Sequence, residues 1–185
     1  MVTKIADVPH LVPKGRANPQ DAFPEVRALA ASDDWREREV AATALVEISK
    51  KQAEAVVAEL QQWASDTDPN VRRAASEGLR GLVRASPEAV APVLELLRGD
   101  PALYVRKSVA NLLRDASKRH AAFVLYLCRR WAKDGNPHTD WVVKDGLRKL
   151  RESDPEAVER IVGSLGMQRA EQRHAEPNAA ADGGA

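Results

Sequence analysis

Apolar residues recur along this chain at a fixed interval of 34 positions. Leu45, Leu79, Leu113 and Leu147 form one series, and Trp63, Leu97, Trp131 and Leu165 a second. Val56, Val90, Val124 and Val158 form a third, and Ala41, Ala75, Val109 and Val143 a fourth. An interval of this size marks an array of supersecondary units, each unable to bury its apolar face alone. Within a unit the spacing is helical: Val105, Val109, Leu112, Leu113 and Ala116 fall on one stripe. Helix starts are punctuated by Asp, Ser or Asn before Pro, at Asp68-Pro69, Ser86-Pro87, Asp100-Pro101, Asn136-Pro137 and Asp154-Pro155. The side-chain oxygen caps free amides there, and Pro takes a position whose N–H would be unpaired anyway. The pattern predicts helix pairs at 21–32 with 34–50, 52–65 with 69–84, 87–98 with 101–118 and 119–133 with 137–151. A last helix is expected at 155–165 and no strand anywhere. Residues 1–20 are expected to form an irregular arm, 21–166 one repeat domain, and 167–185 a disordered tail.

A 34-residue period also suits tetratricopeptide repeats, but their Gly-Tyr and Ala-Phe positions are absent. DTDPNVRRAASEGL and GDPALYVRKSVANLL instead follow the Asp, then Val-Arg, then small-residue order of HEAT repeats. The expected fold is therefore an all-α HEAT-repeat solenoid, a right-handed superhelix of antiparallel helix pairs. The second helix of each pair should line its concave side. Arg72 and Arg106, which follow the valine, are expected to join neighbouring repeats through an Asp–Arg ladder.

Composition narrows the class. Apolar residues make up 44% of the chain, enough for a real core. No stretch approaches the ~18 consecutive apolar residues of a spanning helix. The first twenty residues lack the apolar run of a secretory signal, so a cytoplasmic address and no membrane partner are expected. Cys128 is the single cysteine, which excludes an internal disulfide, and its apolar register makes it a core thiol. The net charge of +1 hides an asymmetry: residues 68–151 carry seventeen Lys and Arg against nine Asp and Glu, and both flanking segments are acidic. A basic block of this kind suits a polyanionic partner.

Helical geometry places those charges, because a residue two positions from a core residue is turned ~200° away from it. Glu77 is two before Leu79 and Asp115 two after Leu113, so both are expected to point away from the core. The 34-residue register aligns Glu77 with Asn111 and Asp145, Arg73 with Lys107 and Trp141, and Arg80 with Arg114 and Arg148. One stripe thus gathers Arg73, Arg80, Arg84, Lys107, Arg114, Lys118, Arg148 and Lys149, with the three acids embedded in it and Trp141 at its edge. Ion pairing alone would account for the acids: Glu77 with Arg73 or Arg80, and Asp115 with Lys118 or Arg119. Trp35, Trp63 and Trp131 sit at helix starts or core registers and are read as packing residues, and Trp141 either joins the stripe or covers the end of the stack. His10, His120, His138 and His174 show no metal-ligand spacing, and no phosphate-cradling loop or nucleophile elbow is present. Neither a metal nor a cofactor is expected, and any catalyst here would have to work with carboxylates.

Three segments carry a resemblance: VRRAASEGLR at 71–80, YVRKSVANLLRDASKRH at 104–120 and TDWVVKDGLRKLRESDPEAV at 139–158. They resemble the HEAT-repeat DNA alkylation-repair glycosylases of AlkC and AlkD type, nearer the AlkC-like branch, over about residues 66–160. Where that branch often reads VRHALR this chain reads VKDGLR, and the proline-rich, Trp-containing extension that follows SEGLR in the family is missing. The resemblance implies duplex DNA as partner, excision of cationic alkylpurines such as 3-methyladenine, and Glu77 and Asp115 as the active-site acids. It also implies that Arg73, Arg80, Arg84, Lys107, Arg114, Lys118, Arg148, Lys149 and Trp141 meet the DNA. A different class of function, a scaffold that binds a protein partner on its concave face, is the alternative.

Overall fold

The computed structural model describes residues 10–165 and residue 167. Its helices are α1 (Leu11–Ala17), α2 (Pro19–Ala30), α3 (Trp35–Ser49), α4 (Ala53–Trp63), α5 (Pro69–Glu77) and α6 (Leu82–Ala85). They continue as α7 (Pro87–Leu97), α8 (Leu103–Ala116), α9 (Ala121–Trp131), α10 (Pro137–Gly146), α11 (Leu150–Ser153) and α12 (Pro155–Gly163). No strand occurs among the described residues, and the fold is an all-α solenoid. First helices begin at Pro19, Ala53, Pro87, Ala121 and Pro155, and second helices at Trp35, Pro69, Leu103 and Pro137, each 34 residues after the last. Second helices pack on second helices, α3 on α5, α5 on α8 and α8 on α10, while α4 packs on α7 and α9 on α12.

The core lies between these two layers. Leu45, Leu79, Leu113 and Leu147 are all fully buried, as are Val56, Val90, Val124, Ala41, Ala75, Val109 and Val143. Trp63 and Trp131 join them, their indole N–H groups donating to Glu59 at 2.8 Å and Glu95 at 3.0 Å. Trp35 departs from the packing role expected of it: it is half exposed beneath the guanidinium of Arg36. Cys128 is a buried core thiol whose pKa burial pushes well above the ordinary range. No helix is long and apolar enough to cross a membrane among the described residues.

Three boundaries differ from expectation. The first concerns the irregular arm expected over 1–20, which is helical from Leu11. Leu11 stands 34 positions before Leu45 and is buried, so the leucine series runs one unit further back. Pro13 lies in the first turn of α1, where no intrahelical N–H bond is lost. The tail expected at 167–185 lies outside the described residues apart from Met167.

The second and third are breaks in the second helices expected at 69–84 and 137–151, which stop at Gly78–Gly81 and 147–149 before resuming as α6 and α11. The cause is close approach. A Cβ on Gly78 would stand 2.9 Å from Leu45 Cβ, and one on Gly146 would stand 2.7 Å from Leu113 Cδ1, the same contact two units later. There the ladder tightens to three-residue bonds, Leu79 N–H donating to Ser76 O at 3.1 Å. Gly78→Ala restricts the unfolded chain, worth about 0.4–1 kcal/mol, but its Cβ would press on Leu45 and Leu60, at about 1–3 kcal/mol. Urea unfolding is expected to show a net destabilisation of about 1 kcal/mol.

Candidate nucleic-acid interface

Glu77 is the last residue of α5 and Asp115 the penultimate residue of α8, and the packing of these helices brings both to one cleft of about 290 Å3. Leu112 and Ser108 form its apolar and hydroxyl lining, Arg80 and Arg114 flank it, and Lys149 closes it from the turn after α10. Adjacent second helices do not meet at the 34-residue register. Their carboxylates find partners at 31, as in Arg16 with Glu47, Glu77 with Ser108, Arg84 with Asp115 and Arg114 with Asp145. The difference of three residues is one helical turn, so each long side chain reaches a partner one turn back along the next helix.

Asp115 is partly exposed and doubly paired. Lys118 Nζ donates to Oδ1 at 2.7 Å, and the Arg84 guanidinium donates to Oδ2 through Nε at 3.1 Å and through a second nitrogen. The Lys118 hydrogen bond, then that of Arg84, holds the carboxyl below its ordinary value of 3.8. A depressed folded-state pKa adds stability above the unfolded value, and this is lost as pH falls through the folded one. The stability difference between wild type and Asp115→Asn, read by urea unfolding, is therefore expected to persist from pH 7 to about 4 and to vanish below it.

Glu77 is not turned to solvent as helical geometry suggested but is buried, at 7% exposure. The reason is that α8 covers this flank of α5. Ser108 Oγ–H donates to Oε1 at 2.7 Å, Arg73 Nε stands 3.7 Å from the same oxygen, and Arg80 pairs with Oε2. Asp145 is held by Arg114 and Arg148. Each of the three acids is thus bracketed by two cations, and six of the expected stripe residues are partly neutralised. Lys107 and Lys149 form no ion pair among the described residues.

Not every predicted residue reaches the cleft. Arg73 lies on the far side of Glu77, in a smaller hollow of about 80 Å3 beside Trp35 and Asn70. Lys107 stands over the ring of Tyr104 at 5.3 Å. Trp141 is half-buried against the core, with the Arg106 guanidinium 5.9 Å from its ring centre. Arg72 makes the expected ladder to Asp100, at 2.6 Å, while Arg106 caps the carbonyls of Asp100 and Pro101 in its own repeat. Sequence reasoning missed Ser108 and Ser76 behind it. Ser108 occupies a register filled by Val40, Ala74 and Val142, and a hydroxyl among apolar residues was the available signal.

Stacked helix pairs with a charged cleft on the second-helix face define a HEAT-type α-solenoid, and residues 24–114 match the family model of HEAT repeats. The structure is similar to that of Pseudomonas fluorescens alkylpurine DNA glycosylase AlkC bound to DNA containing an abasic site analog. That match has a TM-score of 0.70 and 30% identity, over 82% of this chain and 43% of that one. It is also similar to AlkD2 from Streptococcus mutans, with a TM-score of 0.62 and 28% identity, over 71% of this chain and 67% of that one. Among curated proteins, uncharacterized protein YhaZ of Bacillus subtilis (strain 168) is 38% identical over 115 residues, 57% of this chain and 32% of its own length. The chain is thus similar, over most of its length, to HEAT-repeat proteins of the DNA alkylation repair type. It spans less than half the length of YhaZ and of AlkC.

Proposed function

We propose that the second-helix face binds duplex DNA and that its cleft releases cationic alkylpurines such as 3-methyladenine. The observation that carries this reading is the convergence of Glu77 and Asp115 on one cleft within a surface of arginines and lysines. A purine alkylated at a ring nitrogen is positively charged before it leaves, so the base needs no protonation. The N-glycosidic bond breaks with its electron pair going to the base, which departs neutral. Positive charge then develops on the sugar, where a fixed carboxylate lowers its energy. Asp115 is the electrostatic partner of that cation. Glu77, recessed in the cleft wall, orients the water that attacks C1′ and takes its proton. Arg84 and Lys118, both more than half exposed, face phosphate on one side and Asp115 on the other. The AlkC match supports DNA over a protein as the ligand of this face.

Chromatographic detection of free 3-methyladenine from methylated DNA tests the reaction, and a salt titration tests the binding. Affinity for undamaged duplex is expected to fall steeply and linearly in log salt. Lys149→Ala removes an unpaired cation from the cleft rim and is expected to lower that slope by about 1. Absence of duplex binding at low salt would move the face to the protein-scaffold reading.

A further inference from the structure

We propose that Ser108 is a positioning residue that acts through Glu77, an inference that rests on the base-release reaction above. Ser108 is 3% exposed and Ser76 fully buried, at the contact of α5 and α8. Ser76 Oγ donates to Ser108 Oγ at 2.5 Å, and Ser108 Oγ donates to Glu77 Oε1 at 2.7 Å. A hydroxyl carries one proton, and the carboxylate is the stronger acceptor, so the proton of Ser108 points at Glu77 and its lone pair receives Ser76. The chain runs one way, from the buried helix contact to the cleft. Oε1 is held by this chain, and Oε2 is held by Arg80, whose own side chain is nearly half exposed. Arg73 Nε stands further off, 3.7 Å from Oε1, and of the two close supports the serine is the rigid one: its short side chain is locked between packed helices, whereas Arg80 extends from the turn after α5. When Arg80 turns to DNA, Ser108 is what keeps Glu77 aimed at the water.

Two small residues at a close helix contact would also be expected for packing alone, and Ser108→Ala separates the two roles. Alanine keeps the close approach. Ser76 retains Arg73 O as acceptor at 3.1 Å, so no buried hydroxyl is stranded, and the variant is expected to fold with a melting temperature lowered by only a few degrees through the hydrogen bond lost to Glu77. The measurement is single-turnover release of 3-methyladenine from methylated duplex by wild type, Ser108→Ala, Glu77→Gln and the double variant. Losing one hydrogen bond to a charged group predicts about a tenfold slower release by Ser108→Ala, with affinity for undamaged duplex within about twofold of wild type. In the Glu77→Gln background the serine change is expected to cost less than about twofold, because a residue acting through Glu77 has nothing left to act on. Unchanged release by Ser108→Ala, or a full further loss in the double variant, overturns the positioning role and leaves the reaction standing. No release by wild type overturns both.

Discussion

Asp115→Asn is expected to lower single-turnover release of 3-methyladenine by about 100- to 1,000-fold, the cost of removing one preorganised electrostatic partner of a transition state. Fold and binding are expected to survive. Arg84 and Lys118 lose an acceptor that is partly solvent-exposed, and such pairs contribute about 0.2–1 kcal/mol. Affinity for undamaged duplex is expected to stay level or rise, since a carboxylate that repels phosphate is gone and two cations are freed. That combination, better binding with the reaction lost, separates a reagent from a surface ion pair. Stability alone is a weak reason to place an acid in a surface of arginines and lysines. A positive charge developing on the sugar is a strong one. Glu77→Gln is expected to impair release as well, and equal release by wild type and both variants would move the chemistry to another group, with Asp145 next in line. Release by wild type is expected to show no acid limb from Asp115 above about pH 4, because Lys118 and Arg84 keep it ionised down to that point.

The second large effect concerns the fold. Arg72→Met is expected to destabilise the protein by about 3–5 kcal/mol, measured by urea unfolding at pH 7, because it strands a buried carboxylate. Asp100 has a side chain only 4% exposed and receives Arg72 through two nitrogens, at 2.6 and 3.2 Å. A third nitrogen of Arg72 donates to the carbonyls of Asp66 and Thr67, at 2.8 and 3.1 Å. One guanidinium therefore closes the loop of its own repeat and ties it to the next. In a solenoid each unit is held by its neighbours, so the loss weakens the junction between α5 and α7–α8 as well as one bond. Arg84→Ala is the contrast: its partner Asp115 is partly exposed and keeps Lys118, and a loss below about 1 kcal/mol is expected. Equal losses in the two variants would show that burial does not govern these pairs.

What the sequence determined by itself was the repeat and its core. Burial is a local property of a helix, since a residue's face follows from its distance along the chain to the next apolar residue. The interval of 34 therefore placed Leu45, Leu79, Leu113 and Leu147 in the interior, and the helices start within about two residues of their punctuation. The same series extended back to Leu11 would have shown that the first helix precedes residue 20. Part of the candidate site was also legible, since Glu77, Arg80, Arg114, Asp115 and Lys149 line one cleft, while Arg73, Lys107 and Trp141 lie elsewhere. The partners of its acids were not. The carboxylates pair across neighbouring second helices at an offset of 31 rather than 34, and that stagger arises from how the helices pack, which no single-helix periodicity encodes. Only the tertiary structure therefore decided that Arg84 rather than Arg119 holds Asp115, and that α8 buries Glu77 under Ser108. It also took Trp141 to Arg106 and away from the cleft, and it broke two helices where Gly78 and Gly146 let backbone approach leucine. The physical reason is common to all of these: side-chain partners far apart in sequence are chosen by the distance and stagger between packed elements, and those are properties of the assembled stack.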